Sequence, residues 1–215
     1  MGDKKDMFKN SDEIILRIER YYNIYFDNFG DIPRDIIHSV IERYRQNHNS
    51  LLNKYFVHDH FNANHADQLS MLIYELCRLL KMNNLTKYAD EIYLLNKFLF
   101  SIDIHSEIVL PEHYFLAHAL GTVLGRAHYS DGLVVGQNVT VGNNRGVYPV
   151  FKGSCELNAG CCVLGKSNIG NNVIIGAGCV IIDRDIPDNK VVYFSYTDGL
   201  VIKENQRDVM KMNFR

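Results

Sequence analysis

The chain has 215 residues, 47% of them hydrophobic and 22% charged, with a formal net charge of −2 at pH 7. That is enough apolar material to bury a core, and it excludes a disordered chain. Basic and acidic residues balance throughout, 13 against 14 up to residue 100 and 10 against 11 beyond it, which excludes the charge footprint of a nucleic-acid binder. Thirteen of the 15 glycines lie from Gly121 onward. This shift divides the chain into a helical region (1–100), a repeat region (101–187) and a C-terminal extension (188–215). The odd set Cys77, Cys155, Cys161, Cys162 and Cys179 contains no CxxC pair, so the cysteines read as small core residues in a reducing compartment. Neither end carries an apolar run long enough for a signal peptide or membrane span, and a soluble cytoplasmic protein is expected.

Met1 to Asn10 is charged and expected to fray. Asn10-Ser11-Asp12-Glu13 reads as a helix start, with Ile14, Ile15, Ile18, Tyr21, Tyr22 and Tyr25 on one face. Pro33 opens a second helix through Ile36, Ile37, Val40, Ile41 and Tyr44. Leu69, Leu72, Ile73, Leu76, Leu79 and Leu80 form the clearest helical stripe. After a break at Asn83-Asn84, a further helix from Thr86 carries Ala89, Ile92, Leu95 and Phe98. Between the second and third helices lie His58, Asp59, His60, Asn62, His65 and Asp67. Three readings are open for this patch: a polar cap with Asp67 near the helix start, the lining of an acceptor pocket, or a zinc site using His58, His60 and His65.

Asp103 and His118 stand 15 residues apart. On a coil of three six-residue sides, such a separation returns the chain near its starting corner. The carboxylate is therefore expected to meet the imidazole, fix its tautomer and leave the other ring nitrogen to accept a proton. The coil itself is written in the repeats that follow. Phe151, Leu157, Val163, Ile169, Ile175 and Ile181 recur every sixth position, with Cys155, Cys161, Ser167, Val173 and Cys179 four residues after the first five. The same beat precedes them in another phase at Val123, Tyr129, Val135 and Val141. One hexad makes a short strand and a corner, three make a turn, and stacked turns make a parallel β-helix.

The Asp-Ile-His segment at Asp103, the histidine 15 residues beyond, the Gly-x-Val-x-Gly at Gly121 and the Gly-Ala-Gly at Gly176 together resemble serine acetyltransferase over roughly residues 100 to 187. That resemblance implies an all-β left-handed parallel β-helix of hexapeptide repeats preceded by an α-helical domain, and an acetyl-CoA-dependent acyltransferase. His118 would be the general base and Asp103 its orienting partner. It further implies pantetheine in a groove between prisms of a homotrimer, contacted at Gly142, Asn143, Asn158, Ala159, Gly160, Gly176, Ala177 and Gly178. Lys166, Arg184 and Lys190 would be candidates for the nucleotide phosphates. The Asn143 to Val147 loop would reach toward the neighbour's site, and no metal is expected.

The chain departs from that family at the acceptor. Ala117 stands where the family has an aspartate before the catalytic histidine, and Val147-Tyr148-Pro149 replaces Arg-His-Pro, so the residues that hold an amino-acid acceptor are missing. Gly121 to Ala127, Tyr129-Ser130-Asp131 and Tyr148-Pro149-Val150 resemble the serine-acetyltransferase-like enzymes of capsule and O-antigen clusters. The expected acceptor is therefore a saccharide hydroxyl, lined by Tyr148, Tyr129, His65 and Asp59. The alternatives are serine O-acetylation, amino-sugar N-acetylation, a non-catalytic β-helix scaffold and a zinc enzyme with ligands between subunits.

Overall fold

The structure is a computed structural model that describes residues 11–215; the expectation for Met1 to Asn10 falls outside the described residues. Helix α1 (Ser11–Tyr25) begins with Asp12 and Glu13, charges that the helix N-terminus favours. It buries Ile14, Ile15, Ile18 and Tyr22, whereas Tyr25 is half exposed and packs at a tilt on Phe98 with ring centroids 5.1 Å apart. Helix α2 (Arg34–Ser50) follows Pro33 and buries Ile37, Val40, Ile41 and Tyr44. Helix α3 (Ala66–Met82) packs against both α2 and α4 (Thr86–Phe100), so it is buried nearly all round. Polar groups on it are consequently paired. Glu75 accepts from Arg43 Nε at 2.8 Å and from the Tyr114 hydroxyl at 3.0 Å, and burial raises its pKa against the pull of Arg43.

His48, near the end of α2, is fully buried, and desolvation lowers its pKa from 6.5 to about 4. The unfolded chain therefore takes up a proton near pH 6.5 that the folded chain refuses until about pH 4. Stability attributable to His48 is full above pH 7 and is lost as pH falls between those values, by about 3 kcal/mol in all. Urea unfolding of wild type and His48→Gln across pH 4 to 7.5 should show a shallower acid slope in the variant.

Beyond α4 the chain winds into a β-solenoid of about five turns. Strands β1 (Asp103–Ile104), β3 (Val123–Leu124), β5 (Thr140–Gly142), β8 (Cys162–Leu164) and β11 (Val180–Ile182) stack in parallel as one side. The second side stacks β2 (Tyr114–Leu116), β4 (Leu133–Val135), β7 (Cys155–Leu157), β10 (Val173–Ile175) and β12 (Lys190–Ser195), closed by antiparallel β13 (Gly199–Glu204). The third pairs β6 (Val150–Phe151) with β9 (Asn168–Ile169) and adds single bridges at His128 and Ile186. Cys155 stacks on Val173 and Cys162 on Val180, a turn of three hexads. The anchors Phe151, Leu157, Val163, Ile169, Ile175 and Ile181 and the column Cys155, Cys161, Val173 and Cys179 are wholly buried, with Ser167 nearly so. All five cysteines are free thiols, and burial pushes Cys161 up to about 12.

Two irregularities adjust the repeat. Leu124, not Val123, points inward: Leu124 stacks on Val141, while Val123 pairs with outward Thr140 and is exposed. The earlier phase thus loses one residue between Leu124 and Tyr129. Between Val141 and Phe151 it gains four, in a hairpin where Asn144 and Val147 exchange backbone bonds around Arg145 and Gly146, both at positive φ. The Asn144 amide donates to Asp183 at 2.6 Å, which pins this loop to its own coil. At the end of the chain, α5 (Val209–Asn213) leads to Phe214, which bridges to Leu51 and ties the solenoid to the helices.

Candidate active site

His118 occupies the corner between β2 and β3, in the left-handed conformation (φ 53°), with its side chain 79% exposed. One carboxylate holds it. Asp67, in the first turn of α3, accepts from the His118 backbone N–H at 3.1 Å through Oδ1, and its Oδ2 lies 3.6 Å from Nδ1. The Asp67 side chain is only 9% exposed. A cavity of about 470 Å³ opens beside the pair, lined by Ser70, Phe100, Ile102, Leu120 and Gln137.

Below His118 the corners form a ladder of backbone bonds, Asn138 N–H to Leu120 O, Gly160 N–H to Gln137 O and Gly178 N–H to Ala159 O. Gly160 and Gly178 take φ near +70°, and a Cβ on Gly178 would meet nothing within 4 Å. The corners at Asn158, Ala159, Gly160 and Ala177 are therefore small, open and in line with His118, which fits the close approach of a long, slender ligand.

Within one chain the expected pairing is not made. Asp103 does not bond to His118; its carboxylate accepts from the Tyr93 hydroxyl at 2.6 Å and from Lys97 Nζ at 2.9 Å. The cause is the length of the first turn. Asp103 stacks on Val123, 20 residues on, so a step of 15 ends at the preceding corner. Partial burial raises the Asp103 pKa, but Tyr93 and Lys97 outweigh it and leave the carboxyl below its ordinary range. Asp103 faces a second groove, of about 530 Å³, which it shares with His105, Arg126, Gly142, Asn143 and Tyr148. Arg126 pairs there with Glu107 at 2.9 Å.

Other expected site residues lie elsewhere. Tyr129 is a core residue, stacked on Phe151 with centroids 5.5 Å apart and donating its hydroxyl to Gly125 O. Asp59 is held by Arg45 and Asn49, both at 2.7 Å, within the helical region, and the hydrogen bond from Arg45 first of all lowers its pKa. His65 precedes α3 with its ring between Tyr55 and Phe56. Lys190 is paired with Glu204 across the β12–β13 hairpin, and the Lys166 backbone N–H donates to Asp183. Among the described residues, no group of three or more His, Cys, Asp or Glu is placed to hold a metal ion. No helix among them is long and apolar enough to cross a membrane.

Asp67 is the site residue that sequence reasoning missed. The sequence placed it in the His58 to Asp67 patch, as a helix-start carboxylate or part of an acceptor-pocket lining, and gave no sign that it would meet His118.

No protein-family model matches the chain. It is 34% identical over 103 residues to the serine acetyltransferase of Synechococcus elongatus, covering 46% of this chain and 42% of that one. The serine acetyltransferase of Brucella abortus superposes with a TM-score of 0.68, at 20% identity, over 89% of this chain and 83% of that one. The chain is thus similar in part to serine acetyltransferases and shares their fold. A further serine acetyltransferase, solved in complex with CoA, matches with a TM-score of 0.63 at 18% identity, over 87% of this chain and 74% of that one. The chain spans about half or less of the length of the first curated relatives it matches. These relatives overturn the expectation of a saccharide acceptor, since they are named as serine acetyltransferases, and they lend no support to the likeness to capsule and O-antigen enzymes. The physical reason agrees, because Tyr129, Asp59 and His65, three of the four residues expected to line a sugar pocket, are not gathered beside His118.

Proposed function

We propose that the protein is an acetyl-CoA-dependent serine O-acetyltransferase with His118 as general base. In this reading Nε2 takes the proton of the serine hydroxyl as the oxygen attacks the thioester carbonyl. The tetrahedral intermediate expels the thiolate, which recovers the proton from the imidazolium, giving O-acetylserine and free CoA. The observation that carries the reading is an exposed, carboxylate-held imidazole at the head of a ladder of small corners, in a chain similar to serine acetyltransferases. Asn158, Ala159, Gly160 and Ala177 are the proposed contacts for acetyl-CoA, and a corner N–H is suited to the thioester oxyanion.

A homotrimer belongs to this proposal. The outer face of the first sheet exposes Val123, Val180 and Ile182, an apolar strip flanked by the His118 corner on one edge and the Asp103 groove on the other. Covering that strip with a second copy would bury it, and Asp103, Tyr148, Gly142 and Asn143 enter the site only through such assembly. The test is release of CoA thiol from acetyl-CoA with L-serine, beside amino-sugar and no-acceptor controls, on protein whose mass is measured by light scattering. Serine-dependent thiol release by a species of three times 24.8 kDa is expected. Release with an amino sugar alone, or none with any acceptor, refutes the proposal.

A further inference from the structure

We propose that Asp67 is the positioning residue of the base, holding the His118 imidazole with Nδ1 protonated and Nε2 turned to the acceptor. The inference rests on His118 being that base. Asp67 accepts a hydrogen bond from the His118 backbone N–H at 3.1 Å and places its second oxygen 3.6 Å from Nδ1, an ion-pair separation from which a small rotation of the exposed ring would make the hydrogen bond. The same two-point arrangement occurs elsewhere in the coil, where Asp131 accepts from the His113 backbone N–H at 3.0 Å and lies 2.9 Å from its Nδ1.

Burial gives the two partners different freedom. Asp67 is 9% exposed and fixed in α3, while the imidazole is 79% exposed and open to a substrate on its far side. Asp67 is the acidic residue of the first turn of α3, a position that acidic side chains favour. Tyr44, from α2, is the further titratable group that feels Asp67, and its own pKa is raised foremost by burial. Histidine rarely adopts φ near +53°, and the Asp67 bond to its N–H is what the structure supplies to hold that conformation. With alanine at 117, no acidic side chain adjoins His118 in sequence, and Asp67 restores one in space from 51 residues away.

The contact is tested in the full-length wild-type protein by ¹⁵N NMR of the histidine rings, assigned with His118→Ala. A neutral His118 in the Nδ1–H tautomer is expected; a dominant Nε2–H tautomer overturns the inference even if no Asp67 variant folds. In parallel, Asp67→Asn and Asp67→Glu are compared with wild type for melting temperature and for kinetics with acetyl-CoA and L-serine. Asp67→Asn should lower kcat about 10²-fold, leave KM for acetyl-CoA within about twofold, and remove the preference for the Nδ1–H tautomer of His118. Asp67→Glu should recover kcat to within about tenfold of wild type. Unchanged kcat and tautomer in Asp67→Asn, or a raised KM for serine at unchanged kcat, assigns Asp67 away from positioning and overturns the inference. If instead His118→Ala keeps full turnover, the base assignment is what fails, and the tautomer still reports whether Asp67 holds the ring.

Discussion

If His118 is the proposed base, replacing it by alanine should lower turnover of acetyl-CoA with serine by about 10² to 10⁴, the range that positioned proton transfer contributes. The melting temperature should hardly move. The side chain is 79% exposed, so its loss opens no cavity, and the backbone N–H that Asp67 accepts is kept. Histidine is among the residues enriched in the left-handed region, so alanine at φ near +53° adds a small strain at this corner and any fall in melting temperature should be correspondingly small. The variant should therefore remain a good binder of acetyl-CoA while failing to use it. The measurement is kcat from thiol release set beside KM for acetyl-CoA. Wild-type kcat in a folded variant removes His118 from the reaction, and a joint collapse of kcat and melting temperature shows the residue to be structural.

The architecture was legible because six-residue periodicity has no competitor: neither a helix nor an ordinary strand places an apolar side chain at every sixth position. Phe151 through Ile181 therefore landed in the core as read, and the helical stripes of α2 and α3 did likewise. What the period could not carry was the length of irregular turns. The argument that one coil turn brings a carboxylate to an imidazole is sound where the spacing is three hexads, as His113 and Asp131 show, 18 residues apart. It failed for Asp103 and His118 because the first turn, from Asp103 to Val123, is longer than the repeat and a step of 15 stops a corner short. The failure has a second part. Asp67 reaches His118 through the packing of α3 on the solenoid, and a contact 51 residues away between a helix and a corner leaves no mark in local spacing. Tyr129 misled for a related reason: its ring obeys the inward beat and stacks on Phe151, and aromaticity alone does not separate a core ring from a sugar platform.

Phe151→Ala should cost about 3 to 5 kcal/mol of folding free energy, read from urea unfolding at pH 7.5. Phe151 is wholly buried at the start of the regular repeat. It stacks on Tyr129 with planes 12° apart, and its backbone pairs with His128 on one side and Ile169 on the other. Removing the ring leaves a void in the middle of the stack, and a solenoid has no distant contacts to compensate, since each turn touches only its neighbours. Set against a typical total of about 5 to 15 kcal/mol, the loss is a large share of the stability. Tyr129→Phe supplies the calibration. It keeps the stack and gives up the bond to Gly125 O, so it should cost about 1 kcal/mol. Ile182→Ala, on the exposed outer strip, should leave the unfolding free energy of a single chain nearly unchanged. If Phe151→Ala costs no more than Tyr129→Phe, the ring is not a keystone of the column, and the turns on either side of it must be stable without each other.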